Sequence, residues 1–118
     1  MHNREKGSIC ENFAGKYLEK HGYPIISRNY TIRGGEIDII CKKDEAIVFV
    51  EVKSLTCDSH INLAETITNA KNKSLIRTCN YWLTENEKQD CDWRIDFIGI
   101  CTKQGRIKKL VHLERAIY

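Results

Sequence analysis

Two short segments rich in β-branched residues, joined by a brief polar link, most constrain the fold of this chain. They are residues 35–40 (GEIDII) and residues 48–53 (VFVEVK). β-Branched residues at this density favour strands, and the brief link favours an antiparallel hairpin between them. A loop centred near Lys43 and Asp44 predicts three facing pairs: Ile40 with Ile47, Asp38 with Phe49, and Glu36 with Glu51.

Acidic side chains lie on one side of both predicted strands. Because strand side chains alternate between faces, Glu36 and Asp38 share one side of the first segment. Glu51 and Lys53 share one side of the second for the same reason. Three carboxylates on an apolar surface are costly unless a cation or proton neutralises them, and hard divalent cations favour such oxygen ligands. The hairpin is therefore predicted to bind Mg²⁺ or Mn²⁺; the alternative is a solvated face on which Glu51 and Lys53 form a surface ion pair.

This predicted cluster has the composition that metal-dependent phosphodiester hydrolysis requires. The reaction needs a metal to lower the pKa of the attacking water and to neutralise phosphate charge, and it needs a neighbouring cation. Asp38 and Glu51 are the candidate metal ligands, and the backbone carbonyl of Val52 is a third. Lys53 is the candidate for positioning the nucleophile. Ser/His/Asp catalysis is disfavoured, because the four histidines are far apart in sequence and no serine lies in a Gly-x-Ser-x-Gly turn.

Helical periodicity predicts one helix on each side of the hairpin in sequence. The first spans residues 4 to about 21, with an apolar stripe of Ile9, Cys10, Phe13, Ala14, Tyr17 and Leu18. Glu11 lies at the border of this stripe, where it either reaches a cleft or stays solvated. The second helix is predicted from about Leu63 to Glu85, with a stripe of Ile67, Leu75, Cys79 and Trp82. Lys71 falls within that stripe, so it either snorkels to the edge or points at negative charge.

The remaining elements complete one predicted domain over residues 1–118. Strands are expected over residues 25–32, 93–101 and 106–113, with a turn at Gln104-Gly105 and a loop over residues 54–62. The order helix, three strands, helix, two strands predicts an α/β or α+β sandwich. A charged fraction of 30% and the lack of a long apolar run predict a soluble cytoplasmic protein with no membrane segment. The net charge of +3 only weakly supports nucleic-acid binding.

An ordered set of motifs resembles the YraN-like family, the uncharacterised protein family 0102, within the PD-(D/E)xK nuclease superfamily. The matching residues are Glu11-Asn12-Phe13-Ala14 with Tyr17-Leu18, Gly22-Tyr23, Arg28-Asn29-Tyr30, residues 35–38 (GEID), residues 49–53 (FVEVK), Lys71, residues 94–97 (RIDF), and His112-Leu113 through Ala116. The resemblance implies an α/β, restriction-endonuclease-like core: a mixed central sheet of about five strands flanked by helices.

The resemblance also implies residue roles. Asp38 and Glu51 match metal ligands for Mg²⁺ or Mn²⁺, and Lys53 matches the catalytic lysine. Glu11 matches a helix acid that archaeal Holliday-junction resolvases also use. Glu36 and Lys71 are expected to line the site. Arg94 and Asp96 are also marked by the resemblance, although an ion pair between them is an equally simple interpretation.

Three functions stay open. The first is a metal-dependent endonuclease acting on DNA, including branched DNA, because a small core without an added specificity domain reads shape and backbone more readily than sequence. The second is a non-catalytic nucleic-acid-binding or scaffold protein that retains the fold. The third is a Mg²⁺-dependent protein for another phosphate ester. Cleavage of a junction requires two cuts, which favours a homodimer.

Overall fold

One mixed sheet lies between two helices in the computed structural model, which describes residues 3–57 and 69–117, with side chains for residues 8–57 and 72–117. The elements in chain order are α1 (Asn3–Lys20), β1 (Ile25–Ile32), β2 (Gly35–Lys43), β3 (Ala46–Thr56), α2 (Asn69–Glu85), β4 (Trp93–Lys103) and β5 (Arg106–Leu113). The predicted order of elements and the α/β class are confirmed. The part of the second helix predicted before Asn69 lies outside the described residues.

The sheet has the strand order β1-β2-β3-β4-β5. β3 and β4 run parallel, whereas the other neighbouring pairs are antiparallel. A parallel pair needs a long crossover connection, and the segment containing α2 supplies it. The sheet is therefore mixed, as the resemblance implies.

Each helix covers its own core on one face of the sheet. The α2-side core contains four residues of α2 packed with sheet residues; its members are Ile37, Ile40, Ile47, Phe49, Leu75, Cys79, Trp82, Leu83, Ile95 and Phe97. The α1-side core contains Cys10, Ala14, Leu18, Tyr23, Ile39, Cys41, Val48, Val50, Ile98 and Ile100. In the predicted α1 stripe Cys10, Ala14 and Leu18 are buried and Tyr17 is half-buried; the described part of the predicted α2 stripe is buried. Ile9 and Phe13 are exceptions, because they lie on the outer flank of α1 and are 47% and 42% exposed.

The predicted register of the hairpin is wrong by two residues. Ile39 faces Val50 and Ile40 faces Phe49, so the expected pairing of Ile40 with Ile47 does not occur. The reason is the turn: Asp44 adopts a positive φ of 54°, and only residues 44 and 45 separate the strands. A shift of two residues leaves every side chain on its original face. It moves Asp38 away from Phe49 and toward Glu51.

The predicted loop over residues 54–62 is wrong for its first three residues. Ser54, Leu55 and Thr56 extend β3 by pairing with Ile100, Cys101 and Thr102 of β4. Parallel pairing with a buried strand provides backbone partners that the polar local sequence does not reveal. Residues 58–62 lie outside the described residues. Within the described ranges, neither helix is long and apolar enough to span a membrane.

Candidate active site

The strands β2 and β3 separate at the predicted acidic cluster. Their ladder ends at the pair of Ile39 and Val50. Beyond it, β2 continues in pairing with β1 as far as Gly35, while β3 continues in pairing with β4 as far as Thr56. We call the point of separation the fork, and it consists of Asp38, Glu51 and Val52. Asp38 and Glu51 are therefore the first residues beyond the last pair of the ladder, and Val52 is the second.

Asp38 joins the two arms of the fork. It is 9% exposed. Its Oδ2 atom accepts a hydrogen bond of 2.8 Å from the backbone N–H of Val52. A backbone N–H that has left the strand ladder needs another acceptor, and the Asp38 carboxylate supplies it. This bond fixes the Asp38 carboxylate beside the backbone of the two residues that follow Val50.

The alternation of β2 side chains between the two faces of the sheet is interrupted at Asp38. Ile37 belongs to the α2-side core, whereas Ile39 belongs to the α1-side core. The neighbouring strand breaks at the same level, because Asn29 of β1 adopts a positive φ of 54°. The expectation that Glu36 and Asp38 simply share one side of a regular strand is therefore wrong. Two residues in one strand cannot pack in opposite cores at a spacing of two unless the backbone between them twists.

Glu11 approaches the fork from α1 and is partly buried. Burial raises the pKa of Glu11 to about 7, and the neighbouring Asp38 carboxylate contributes in the same direction. The charge of Glu36 also raises this pKa, while the charge of Arg28 lowers it. The structure thus places acids from α1 and β2 close together, and their mutual repulsion opposes full ionisation.

Glu51 faces the opposite helix. It lines a groove of about 310 Å³ together with Gly35, Glu36, Ser74 and Leu75. Its Oε1 atom is fully buried. Burial, followed by the charge of Glu51, raises the pKa of the Cys79 thiol on α2. The fork therefore has Glu11 on the α1 side and Glu51 on the α2 side, with Asp38 bonded to the strand between them.

The structure describes the side chain of Lys53 but not that of Lys71. Lys53 is partly buried and lies two residues after Glu51 on β3, so the two share a side of the strand. Lys71 lies in the first turn of α2, and its side chain is outside the described residues. Glu36 is exposed at the edge of the groove.

The donor set of the fork suits a hard divalent cation. Asp38 and Glu51 offer carboxylate oxygens and Val52 offers a backbone carbonyl, and oxygen donors of this kind favour Mg²⁺ or Mn²⁺ over softer metals. Within the described ranges, no three Asp, Glu, His or Cys side chains are grouped closely enough to hold a metal by themselves. A cation here would accordingly depend on two carboxylates, the carbonyl and water.

Sequence comparison establishes the family. A sequence model of the family described as "Uncharacterised protein family UPF0102" matches residues 10–100. The chain belongs to this family. A UPF0102 protein of Carboxydothermus hydrogenoformans is 42% identical over 106 residues, covering 90% of each chain. A UPF0102 protein of Geobacter metallireducens is 36% identical over 116 residues, covering 98% of this chain and 94% of the relative.

The resemblance to family 0102 inferred from the motifs is thus confirmed, and the matched span contains all the candidate site residues of this UPF0102 protein. Among solved structures, Pyrococcus furiosus SfsA in complex with Ca²⁺ matches with a TM-score of 0.39 and 15% identity. The match covers 95% of this chain and 63% of that one. A similarity this distant has no bearing on function.

Arg94 and Asp96 of this UPF0102 protein form the ion pair that was the alternative interpretation of the two residues. Arg94 Nε donates to Asp96 Oδ1 at 3.0 Å. His112 Nε2 lies 2.8 Å from Asp96 Oδ2, and His112 Nδ1 lies 2.9 Å from the hydroxyl of Tyr17. The pair is therefore part of a network, here called the Asp96 network, that connects β4 and β5 to α1, the helix that carries Glu11.

Sequence reasoning assigned no role to Arg28, although Arg28-Asn29-Tyr30 is one of the motifs that carry the family resemblance. Arg28 faces Ile39 across the β1–β2 ladder, so it lies on the α1 side next to the fork. The signal that could have identified it is the following residue, because asparagine adopts the left-handed region more readily than most residues. A strand that twists at Asn29 directs Arg28 and Tyr30 to opposite faces.

Proposed function

We propose that this chain is a metal-dependent endonuclease that hydrolyses phosphodiester bonds in DNA, with branched or otherwise structured DNA as its substrate. The observation that supports this most directly is the fork. Two strands separate at a point where each contributes a carboxylate, and a lysine follows on the same side of one of them. Open strands leave room for a substrate backbone that a continuous sheet would exclude.

The carboxylates of Asp38 and Glu51 and the carbonyl of Val52 would hold Mg²⁺ or Mn²⁺. When bound, such an ion lowers the pKa of water and neutralises charge on a phosphate. The hydrogen bond from the N–H of Val52 supports this proposal, because it holds the Asp38 carboxylate at the fork. That hydrogen bond uses Oδ2, and Oδ1 is the Asp38 atom that would bind the ion.

Lys53 and Glu11 would act on the nucleophile from different sides. The ammonium of Lys53 would orient the attacking water and stabilise the negative charge that develops on the phosphate. Glu11, on α1, would accept a hydrogen bond from the same water and so fix its direction of attack. Glu36 and Lys71 would line the entrance to the fork.

The charge distribution favours an enzyme over a pure binding protein. Acids that crowd at one point repel DNA phosphates unless a cation lies between them. A scaffold that only bound nucleic acid would gain affinity by losing these acids. Two symmetric cuts in a four-way junction would in addition require a homodimer.

The test is cleavage of labelled single-stranded, duplex, flap and four-way-junction DNA with Mg²⁺ or Mn²⁺. Wild type is compared with Lys53→Ala and with Lys108→Ala, which removes the same charge from an exposed position on the edge strand β5. We expect metal-dependent cleavage that Lys53→Ala loses and Lys108→Ala keeps. Binding of these DNAs by a wild-type protein that never cleaves them would replace the enzyme with the non-catalytic alternative.

A further inference from the structure

A second groove lies on the α1 side of the sheet, next to the fork. It has a volume of about 310 Å³ and runs between α1 and β1. We call it the α1–β1 groove; its lining residues are Asn12, Gly15, Lys16, Glu19, Ile25 and Arg28. Gly15 lets the helix approach the strand closely, because a β-carbon there would lie 3.3 Å from Ile25 Cδ1. The floor of the groove therefore has no side chain at that point.

The guanidinium of Arg28 is held in this groove. Its Nη2 atom donates a hydrogen bond of 2.8 Å to Oδ1 of Asn12 on α1. The backbone twist at Asn29 places Arg28 on this face, opposite Ile39. A guanidinium has five N–H donors in a planar fork, so one bond to Asn12 orients the group without using its remaining donors.

The α1–β1 groove adjoins the candidate active site, because two residues at the groove directly follow candidate site residues in the sequence. Asn12 follows Glu11 in α1, and Ile39, the partner of Arg28, follows Asp38 in β2. The positive charge of Arg28 lies near enough to act on the Glu11 carboxylate. A nucleic-acid strand that reached the fork from the α1 side would therefore pass over Arg28.

We propose that Arg28, oriented by Asn12 and assisted by Lys16, binds a backbone phosphate of DNA in the α1–β1 groove, next to the bond presented to the fork. Guanidinium geometry matches phosphate oxygens, and Arg is favoured wherever bidentate recognition of phosphate matters. Glu19 is the one acid in the lining and opposes this binding. The proposal rests on the proposed function for the identity of its ligand, because it assigns the phosphate to the DNA substrate.

The test is the affinity for labelled duplex and four-way-junction DNA by fluorescence anisotropy, in Mg²⁺ and at several salt concentrations. All proteins carry Lys53→Ala, so that cleavage does not alter the ligand. Adding Arg28→Ala should weaken binding about tenfold, the effect of losing a charged hydrogen bond. It should also reduce the slope of log affinity against log salt by about one, which corresponds to one lost phosphate contact.

Three further variants sharpen the assignment. Glu19→Gln removes the opposing charge and should tighten binding. Asn12→Ala keeps the charge of Arg28 but releases its guanidinium, so affinity should fall while most of the salt slope remains. Arg106→Ala, at an exposed position on the opposite edge of the sheet, is the matched control and should leave both values unchanged.

The outcomes separate this subsite from the proposed function. Equal affinity and salt slope for Arg28→Ala and its parent would overturn the subsite, whether or not the wild type cleaves DNA. A clear effect of Arg28→Ala in a protein whose wild type never cleaves would uphold the subsite and refute the endonuclease. Inorganic phosphate should displace DNA beyond the effect of chloride at equal ionic strength, and Arg28→Ala should lose this excess; an equal excess in Arg28→Ala and its parent would place the phosphate-binding site elsewhere and overturn the subsite.

Discussion

Two buried aspartates in the same sheet have opposite surroundings. Asp96 is fully buried and Asp38 is 9% exposed, and one strand separates them: Val50 of β3 pairs with Ile39, next to Asp38, on one side and with Asp96 on the other. Asp96 accepts hydrogen bonds from Arg94 and from the backbone N–H of Arg115, with His112 at bonding distance. Asp38 lies beside other acids. Several protein donors thus stabilise the charge of Asp96, whereas Asp38 has one among the described residues, the Val52 amide, and lies beside acids whose repulsion a cation would relieve.

The difference distinguishes a structural carboxylate from a candidate ligand without reference to conservation. Burial alone would raise the pKa of Asp96, but hydrogen bonds from His112, Arg94 and the Arg115 amide outweigh it and hold that pKa below its ordinary value. Glu11, the neighbour of Asp38, shifts the other way and has a pKa of about 7. The surroundings of Asp96 thus favour its ionised form, whereas those of Glu11 disfavour ionisation. Removing a carboxylate should therefore have a different consequence in each cluster.

The largest expected effect is on activity, at the fork. Asp38→Asn should reduce DNA cleavage by at least on the order of 10³-fold, as expected when a main electrostatic stabiliser of the transition state is lost. It should leave the fold intact, because asparagine can still accept the bond from Val52 and one repelling charge is gone. Single-turnover cleavage and urea unfolding measure the two effects. Retained cleavage with Asn at this position would contradict the metal-ligand role.

The same substitution at Asp96 should lower stability rather than activity. Asp96→Asn leaves Arg94 buried without its counter-charge, and breaking such a pair costs about 3 kcal/mol of unfolding free energy. The side chain of Arg94 is 13% exposed, so water relieves little of this cost. Urea unfolding measures it, with Asp92→Asn, at an exposed position before β4, as the control. A stability equal to wild type would mean that the Asp96 network does not brace the sheet.

The lowered pKa of Asp96 also predicts a pH dependence. A carboxyl whose pKa is lower in the folded state stabilises the protein above its unfolded pKa, which is about 3.9. That contribution is lost as the pH falls through the lower folded value. Wild type should therefore lose stability below about pH 4 more steeply than Asp96→Asn, as measured by urea midpoints between pH 3 and pH 7. If the urea midpoints of the two proteins fall in parallel with pH, other carboxyls cause the acid sensitivity.

Metal binding gives a smaller effect at the fork. Mg²⁺ or Mn²⁺ at ten times its dissociation constant should raise the free energy of unfolding by about 1.4 kcal/mol, seen as a higher melting temperature. Glu51→Gln should abolish this gain, whereas Glu45→Gln, at an exposed position in the β2–β3 turn, should keep it. An equal gain in both variants would place the cation elsewhere.

The sequence predicted local structure better than it predicted contacts. Strands β1 and β5 have the predicted bounds, because turn residues such as Gln104-Gly105 mark their ends. The predicted hairpin register was wrong, because Asp44 adopts a positive φ and allows a turn of only two residues. The strand character of residues 54–56 depends on pairing with β4, which local sequence does not encode.

The same distinction applies within the two aspartate clusters. The acids of the fork are close in sequence, so a hairpin argument could bring Asp38 and Glu51 together. Tyr17 and His112 are 95 residues apart, and no local pattern relates them. The twist at Asn29 that directs Arg28 toward Glu11 likewise depends on packing against two helices at once. Metal binding and DNA cleavage stay predictions.

The smallest expected effect concerns the bond through which the Asp96 network reaches α1, the helix that carries Glu11. Tyr17→Phe removes the hydroxyl that lies 2.9 Å from His112 Nδ1 and should lower the free energy of unfolding by about 1 kcal/mol. If the Asp96 network positions α1, and with it Glu11, then Tyr17→Phe should also slow single-turnover cleavage while leaving the affinity for DNA unchanged. Tyr81→Phe, at an exposed position on α2, is the matched control. A loss of stability without slower cleavage would show that the network supports the fold alone and that Glu11 keeps its place through the packing of Cys10, Ala14 and Leu18.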